Sequence, residues 1–323
     1  MSLNEFEIIK NYFQPIEGSR SDVKMGIGDD AAVVLPPPGQ RLVMAIDTLV
    51  AGIHFPQQTT PYDIGYKALA VNLSDLAAMG AEPSWVLLAL TLPEADEAWL
   101  KKFCAGLNHL LHEYRLQLIG GDTTRGPLTI TIQTCGFLPL DKGLFRNGAK
   151  PGDLIFVTGD LGDAGLALSF LQNQVSIPVS DQETILQRFN RPTPRVPEGL
   201  WLRDIASAAI DISDGLAADL GHVLQASGVG ATLKLQDLPL SSVMKKTVNE
   251  QHAWELALTA GDDYELCFTI PATQRTYVER IFAEKFTTRC QCIGVIEEKL
   301  GLRLINPTGD FFQLSNKGYT HFG

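Results

Sequence analysis

The sequence predicts an α/β protein of the α+β type, with two α/β domains at residues 1–140 and 141–323. Its 323 residues, of which 45% are apolar, are many for a single core and suit two. Segments with strand periodicity alternate with segments that have helical periodicity. A turn-rich stretch at 141–153 separates two such series, and it is the predicted domain boundary.

The first domain opens with apolar residues at helical spacing over 4–13, which predicts a short helix ended by Pro15. The same two periodicities predict the elements that follow: strands over 31–35, 42–46, 85–92 and 128–138, and helices over 62–79 and 97–114. The sheet and helices of this domain together form one α/β unit.

The second domain is predicted to hold a mixed sheet with helices. Its strands are expected at 154–158, around Ile210, and at 231–235, 265–270 and 293–296; its helices after Gly162, through 183–186, and at 196–206, 216–226 and 274–286. The glycines of 159–165 do not have G-x-G-x-x-G spacing, so this segment is predicted to be a tight strand-to-helix turn. No G-x-x-x-x-G-K-[ST] loop is present.

The charge balance narrows the classes of partner. A net charge of −11 without any basic run disfavours nucleic acid and anionic membranes. The N-terminus lacks the pattern of a signal peptide, and no run of eighteen apolar residues occurs. Five cysteines without paired C-x-x-C spacing indicate a reducing compartment and no structural zinc. We therefore expect a cytoplasmic protein.

Six aspartates share one sequence context, since each follows or interrupts an apolar or glycine-rich segment: Asp30, Asp47, Asp75, Asp122, Asp211 and Asp214. Two carboxylates about 4 Å apart repel by roughly 1 kcal/mol in water and by about 4 kcal/mol near a protein surface, so a cluster of them needs cations. Hard divalent ions such as Mg²⁺ prefer such oxygen ligands. The recurrence predicts a metal or phosphate site.

Some of these aspartates, and two further candidate residues, His54 and Arg146, also have an ordinary structural interpretation. Gly28 and Asp29 suit a simple turn, and Asn72 or Ser74 could cap a helix at a junction of two short helices near Asp75. His54 could be structural, and Arg146 could be a surface arginine rather than a phosphate contact. No nucleophile with a matched base emerges, which favours direct transfer over a covalent intermediate.

Seven longer segments contain these residues apart from Arg146: 26–32 (GIGDDAA), 47–55 (DTLVAGIHF), 67–81 (KALAVNLSDLAAMGA), 119–124 (IGGDTT), 148–153 (GAKPGD), 211–216 (DISDGL) and 261–266 (GDDYEL). In this order they closely resemble the thiamine-monophosphate kinases, which belong to an ATP-binding superfamily that includes aminoimidazole ribonucleotide synthetase and selenophosphate synthetase. The resemblance covers nearly the whole chain.

The resemblance implies a Mg²⁺-dependent transferase of thiamine biosynthesis that moves the γ-phosphoryl group of ATP directly to thiamine monophosphate, the last step to thiamine diphosphate. It implies several Mg²⁺ ions, held by the six aspartates above. Implied ATP contacts are Gly121, Asp122, Arg146 and Ser213. Implied substrate contacts are His54, Asp262 and Tyr319, of which Tyr319 could equally be a packed terminal residue. The resemblance also implies a homodimer whose N-terminal sheets join in a barrel-like core.

Two departures from the family pattern affect these expectations. Ala45 and Ile46 stand where relatives often have hydroxyl residues, and Asp262 replaces a glutamate.

Two alternative functions stay open. The first is another enzyme of this superfamily. Selenophosphate synthesis would require a reactive cysteine near the N-terminal glycine-rich segment, and no cysteine precedes Cys104. A non-catalytic binding protein stabilised by metal is the other.

Overall fold

A computed structural model describes residues 4–14, 20–315 and 318. The chain divides into two compact units. Unit 1 consists of Met1–Leu76 and Ala81–Lys142, and unit 2 consists of Ala77–Gly80 and Gly143–Gly323. The short segment 77–80 clusters with unit 2, and no periodicity in the sequence indicates this.

Unit 1 contains elements that correspond to those predicted for the first domain, and in addition two strands that were not predicted, over Val23–Met25 and Gln117–Arg125. Its elements are α1 (Glu5–Ile8, continued by a π-helical turn over Ile9–Phe13), β1 (Val23–Met25), β2 (Val33–Val34), β3 (Gln40–Val50), α2 (Pro61–Ala78), β4 (Glu82–Leu92), α3 (Glu97–Glu113), β5 (Gln117–Arg125) and β6 (Thr129–Pro139). The strand predicted over 31–35 is reduced to β2. Helix α2 runs without a break through Asn72 and Asp75, which confirms the helix predicted over 62–79 and excludes the alternative of two short helices that meet there.

The main sheet of unit 1 has the order β3-β6-β4-β5, with only β4 and β5 parallel. Helix α2 packs on one face of the sheet, where the Thr134 hydroxyl donates to the Asn72 carbonyl at 3.4 Å. Helix α3 crosses α2 closely, since a Cβ on Gly106 would collide with the Tyr62 carbonyl. Within the described residues this sheet is open, with β3 and β5 at its edges, so one chain does not close a barrel.

Unit 2 contains β7 (Leu154–Thr158), α4 (Asp163–Leu171), α5 (Val179–Asn190), α6 (Val196–Leu202), β8 (Ala208–Asp211), α7 (Leu216–Ser227), β9 (Gly230–Lys234), α8 (Ser242–Thr247), α9 (Glu250–Thr259), β10 (Leu266–Ile270), α10 (Arg275–Lys285), β11 (Cys290–Glu297) and β12 (Gly301–Ile305). The turn predicted between β7 and α4 is confirmed. Helices α8 and α9 were not predicted, although both begin at side-chain caps: Ser241 accepts from Met244 N, and Asn249 accepts from His252 N.

The sheet of unit 2 has the order β12-β9-β11-β7-β10-β8, and the parallel pair β12–β9 makes it mixed, as predicted. Strand β10 is antiparallel to both of its neighbours, and Leu266 lies opposite Asp211. The loops after β7 and β8 and the turn before β10 therefore lie at the same end of these three strands. Among the described residues, no helix has the length and apolar character needed to cross a membrane.

Candidate functional site

In unit 1, Asp47 from β3 and Asp75 from α2 form a carboxylate pair, because their side chains are hydrogen-bonded. Burial raises the pKa of Asp47, while the hydrogen bond from Asp75 and the nearby His54 side chain act in the opposite direction. Two carboxyl groups can share a hydrogen bond only through a proton. Such a pair is an oxygen donor set that a divalent cation can occupy in place of the proton.

His54 lies in the turn after β3, and its Nδ1 accepts a hydrogen bond from Val50 N at 3.0 Å. A neutral imidazole that accepts at Nδ1 carries its proton on Nε2. Gly52, at a φ of 80°, allows the turn that brings this ring back toward Asp47. The ring is thus oriented by the backbone and lies within electrostatic range of the carboxylate pair.

A cavity of about 1020 Å³ lies in unit 1, and Asp30, Gly121 and Asp122 are among its lining residues. Gly121 adopts a φ of 152°, and a Cβ at this position would collide with the Leu88 carbonyl. Only glycine fits this backbone approach. Both aspartates are exposed to the cavity side, which gives them access to a ligand.

The strand register separates Asp47 from Asp122. Directly opposed residues share a face of a sheet, and neighbours along a strand alternate. Asp122 shares its cross-strand row with Thr131 and Thr48, whereas Asp47 shares its row with Ile132. The two aspartates therefore point to opposite faces, with Asp47 on the α2 side.

No group of three or more His, Cys, Asp or Glu side chains in the described ranges is arranged to hold a metal ion. The structure brings Asp47 together with Asp75, and it places Asp30 and Asp122 on one cavity. Each pair supplies only part of a coordination shell, which for Mg²⁺ is completed by water and substrate phosphate oxygens. The assignment of magnesium ligands stays a prediction.

In unit 2, Asp211 ends β8, and the residues after it form a loop held by Asp219 in the first turn of α7. The Asp219 carboxylate accepts from the backbone N–H groups of Ser213 and Asp214, each at 3.1 Å. Burial, followed by the negative charge of Asp211, raises the pKa of Asp219 to about 7. Asp219 was not among the predicted residues, although it stands only five positions after Asp214.

Asp262 lies in a turn, residues 261–265, that packs on this loop. Gly261, Asp262 and Tyr264 have φ values of 73°, 60° and 49°. The left-handed conformation costs a non-glycine residue roughly 1–2 kcal/mol. Hydrogen bonds stabilise it here: Asp262 N donates to the Ser213 carbonyl at 2.8 Å, and the Tyr264 hydroxyl donates to the Asp262 carboxylate at 3.0 Å. The structure thus brings Asp262 beside Ser213.

Glu265 ends the same turn inside a buried ion network. Its carboxylate accepts from Arg195 Nε and Nη2, each at 2.6 Å, from Arg188 Nη2 at 2.8 Å and from the Thr158 hydroxyl at 2.6 Å. Burial acts to raise the pKa of Glu265, but the two arginines outweigh it and hold the pKa at about 2. Arg195 and Glu265 stand 70 positions apart, so sequence patterns did not indicate this contact.

The two remaining predicted residues are Arg146, beside β8, and Tyr319. The Arg146 side chain is exposed, and its backbone carbonyl accepts from the Ser227 hydroxyl at 2.9 Å. The preceding carbonyl, of Phe145, accepts from Ala209 N in β8 at 3.1 Å. Tyr319 lies outside the described residues.

Comparison with known proteins places these features in a family. The AIR synthase related protein family matches twice, with its N-terminal domain at residues 28–138 and its C-terminal domain at residues 150–305. These matches span most of the chain. The chain is therefore an AIR synthase related protein.

Full-length relatives narrow the class further. The thiamine-monophosphate kinase of Escherichia coli K12 is 48% identical over 324 residues, covering 100% of this chain and 99% of the relative. The crystal structure of the thiamine-monophosphate kinase from Stenotrophomonas maltophilia K279a matches with a TM-score of 0.87 at 43% identity, covering 94% of this chain and 97% of that one. The structure of AaThiL complexed with AMPPCP and TMP matches with a TM-score of 0.77 at 31% identity, covering 100% and 99%. The chain belongs to the thiamine-monophosphate kinase family.

Proposed function

We propose that this chain transfers the γ-phosphoryl group of ATP to the phosphate of thiamine monophosphate, giving thiamine diphosphate and ADP. The observation that carries this proposal is the 48% identity to a thiamine-monophosphate kinase along the whole chain. The likeness to AaThiL, whose structure contains AMPPCP and TMP, supports the same pair of substrates. The reaction is the closing step of thiamine diphosphate synthesis.

The acceptor is already an anionic phosphate, so the reaction needs no strong general base and no covalent nucleophile. Catalysis of such a transfer consists of aligning donor and acceptor and of stabilising the charge between them. All five cysteines are free thiols, and burial raises the pKa of Cys104, Cys135 and Cys267, which makes them poor nucleophiles. A direct in-line transfer suits these residues.

A divalent cation fits the donor set of unit 1. Asp47 and Asp75 face each other at a half-buried position, and only a proton or a cation makes that contact favourable. Mg²⁺, when bound, would neutralise and orient the phosphates. Asp30, Asp122, Asp211 and Asp214 are the further ligands that we propose, with Asp211 and Asp214 held by the loop that Asp219 caps.

The proposed contacts to ATP and to thiamine monophosphate are residues that the structure places on the cavity or orients by hydrogen bonds. Gly121 and Asp122, which line the cavity of unit 1, are proposed ATP contacts, together with Arg146 and Ser213. His54, oriented by Val50 N, and Asp262, oriented by Tyr264, are the proposed contacts to thiamine monophosphate. In this proposal, residues 1–140 carry metal binding, ATP binding and dimerisation, and residues 141–323 complete the nucleotide and substrate site.

We also propose a homodimer with a barrel-like core. Strand β3 is an edge strand, and its outer face exposes Leu42, Met44 and Ile46 by 43%, 60% and 62%. Apolar side chains exposed in a row on a long edge strand mark an interaction surface. A second copy related by a two-fold axis would cover this row with the same row, as in most homodimers. A cytoplasmic location remains an expectation from the cysteine content.

The proposed function is tested by incubating the purified chain with ATP, Mg²⁺ and thiamine monophosphate and measuring thiamine diphosphate by chromatography. We expect its formation in step with ADP. A substrate panel that includes the acceptor of aminoimidazole ribonucleotide synthetase tests the alternative enzyme. Stabilisation by Mg²⁺ without turnover of ATP with any acceptor would instead identify a metal-stabilised binding protein and overturn the proposal.

A further inference from the structure

The 261–265 turn has two sides with different partners. Asp262 and Tyr264 contact the loop after β8, through the Ser213 and Ile212 carbonyls at 2.8 Å each. Asp263 and Glu265 point the other way. Asp263 accepts from Gly162 N with both carboxylate oxygens, at 3.0 and 2.9 Å, and it is buried. The turn is therefore fixed from two directions by different elements.

Glu265 is almost fully enclosed, with 1% exposure, and its carboxylate receives four hydrogen bonds from three side chains. Thr158, at the end of β7, links the carboxylate to Leu266 N at 2.8 Å. A Cβ on Gly159 would collide with the carboxylate, so the following backbone packs directly on it. Glu265 thereby joins the end of β7 to the start of β10.

The two arginines bring further elements to this carboxylate. Arg195, at the start of α6, also donates from Nη1 to the Thr288 hydroxyl at 2.6 Å. Arg188, on α5, also donates to the Asp160 carbonyl at 3.0 Å. Buried ion networks contribute little net stability compared with apolar packing, but they impose a single geometry where every partner is satisfied. The left-handed residues Asp262 and Tyr264 require such constraint.

We propose that Glu265, held by Arg195, Arg188 and Thr158, is a positioning residue that fixes the 261–265 turn and so sets the placement of Asp262 for thiamine monophosphate. This inference rests on the proposed function. Asp262 is one methylene shorter than the glutamate that the family resemblance places there, so its reach depends on where the backbone lies. A small displacement of a positioned group lowers binding and rate steeply.

The effect should fall on one substrate. Of the proposed ATP contacts, Gly121 and Asp122 lie in unit 1, and Arg146 lies beside β8 rather than on the turn. Ser213 contacts the turn through its backbone carbonyl, which accepts from Asp262 N. Loosening the turn should therefore weaken thiamine monophosphate binding more than ATP binding. A purely structural role would instead lower the amount of active protein and leave both KM values unchanged.

The test compares Thr158→Val, which removes one hydrogen bond to Glu265, with Thr158→Ser, which keeps the hydroxyl. We expect Thr158→Val to raise the KM for thiamine monophosphate about tenfold, with the KM for ATP within about twofold of wild type. Thr158→Ser should restore the wild-type value. Glu265→Gln should have a larger effect of the same kind, roughly a hundredfold. Glu284→Gln, the same change at an exposed pair with Arg280, is the matched control.

Each outcome decides the inference. Unchanged KM for thiamine monophosphate in folded Thr158→Val and Glu265→Gln would overturn it, as would equal increases for both substrates. If Glu265→Gln does not fold, the two Thr158 variants decide. If Thr158→Val also fails to fold, the network acts on folding as a whole and the positioning role is wrong. A wild-type chain that forms no thiamine diphosphate would overturn the proposed function, which is a separate result.

Discussion

Asp47 in unit 1 is half-buried and Glu265 in unit 2 is fully buried, and their pKa values move in opposite directions. Glu265 faces two arginines and a hydroxyl, and its pKa is held at about 2. Asp47 faces another carboxyl group, and burial raises its pKa despite the opposing effects of Asp75 and His54. One carboxylate is balanced by the protein's own cations, and the other lies against a second acid.

This difference separates structural from ligand-binding acids. A carboxylate whose charge is balanced within the fold has no need of a cation from solution. Buried acids that face one another are costly unless a proton or a metal ion lies between them. Asp219, whose pKa is raised to about 7 by burial and by Asp211, resembles Asp47 in this respect. The fold thus holds two kinds of acid, and their responses to mutation should differ.

The largest expected effect is on catalysis, from Asp47→Asn. If Asp47 holds a cation, its loss should lower kcat/KM by roughly 10³-fold or more, because charge stabilisation dominates phosphoryl transfer. The uncharged amide relieves the acid–acid contact, so the fold should be retained. Steady-state kinetics with circular dichroism and size-exclusion chromatography check both expectations. Near-normal turnover would show that Asp47 is not a ligand.

The next effect is on acid stability and concerns Glu265. Its pKa is lowered from 4.5 to about 2 in the folded chain. A lowered carboxyl pKa contributes stability above the unfolded value, and this stability is lost as the pH falls toward the folded value. We expect the wild type to lose about 3 kcal/mol of its free energy of unfolding relative to Glu265→Gln between about pH 5 and pH 2. Urea unfolding of both proteins measures this, and parallel pH profiles would contradict it.

A somewhat smaller effect should appear as thermal stabilisation by Mg²⁺ in the presence of AMPPCP. A ligand at about 100 times its Kd stabilises a protein by about 2.7 kcal/mol, which is an increase of roughly 5–10 °C in Tm for a domain of this size. Asp47→Asn should show a clearly smaller increase, and Glu284→Gln should keep the full one. Equal increases in all three proteins would remove the distinction between the two kinds of acid.

The smallest effect concerns Arg146, which is exposed beside β8. Arg146→Ala should raise the KM for ATP about tenfold, because one charge-assisted contact to phosphate is lost, and should leave the KM for thiamine monophosphate within about twofold. Separate titrations of the two substrates measure this. Arg280→Ala, at an exposed pair with Glu284, is the control. A larger effect on thiamine monophosphate would reassign Arg146 to the acceptor side.

Local patterns predicted most of the fold. Strands β3, β4, β6 and β7 and helices α2 and α3 have long, regular apolar periodicity, and the structure confirms them. Strand β5 was missed because Gly120 and Gly121 resemble a turn, although cross-strand pairing with β4 keeps them extended. Strand β12 was missed because it is short and pairs in parallel with the distant β9.

For the candidate site, sequence context identified single residues but not their partners. The pairing of Asp47 with Asp75 follows from α2 lying on the sheet, which periodicity cannot specify. The contact of Glu265 with Arg195 depends on the order of strands in the unit 2 sheet. Asp219 could have been found from its position in the first turn of the helix after Asp214, where a carboxylate accepts free backbone N–H groups.

The most direct test of the claim that paired acids hold divalent cations is a count of bound Mn²⁺ by electron paramagnetic resonance, with AMPPCP and thiamine monophosphate present. Mn²⁺ substitutes for Mg²⁺ at oxygen sites. The wild type and Glu284→Gln should bind the same number of ions, and Asp47→Asn should bind fewer. Identical Mn²⁺ binding by Asp47→Asn and the wild type would contradict the claim.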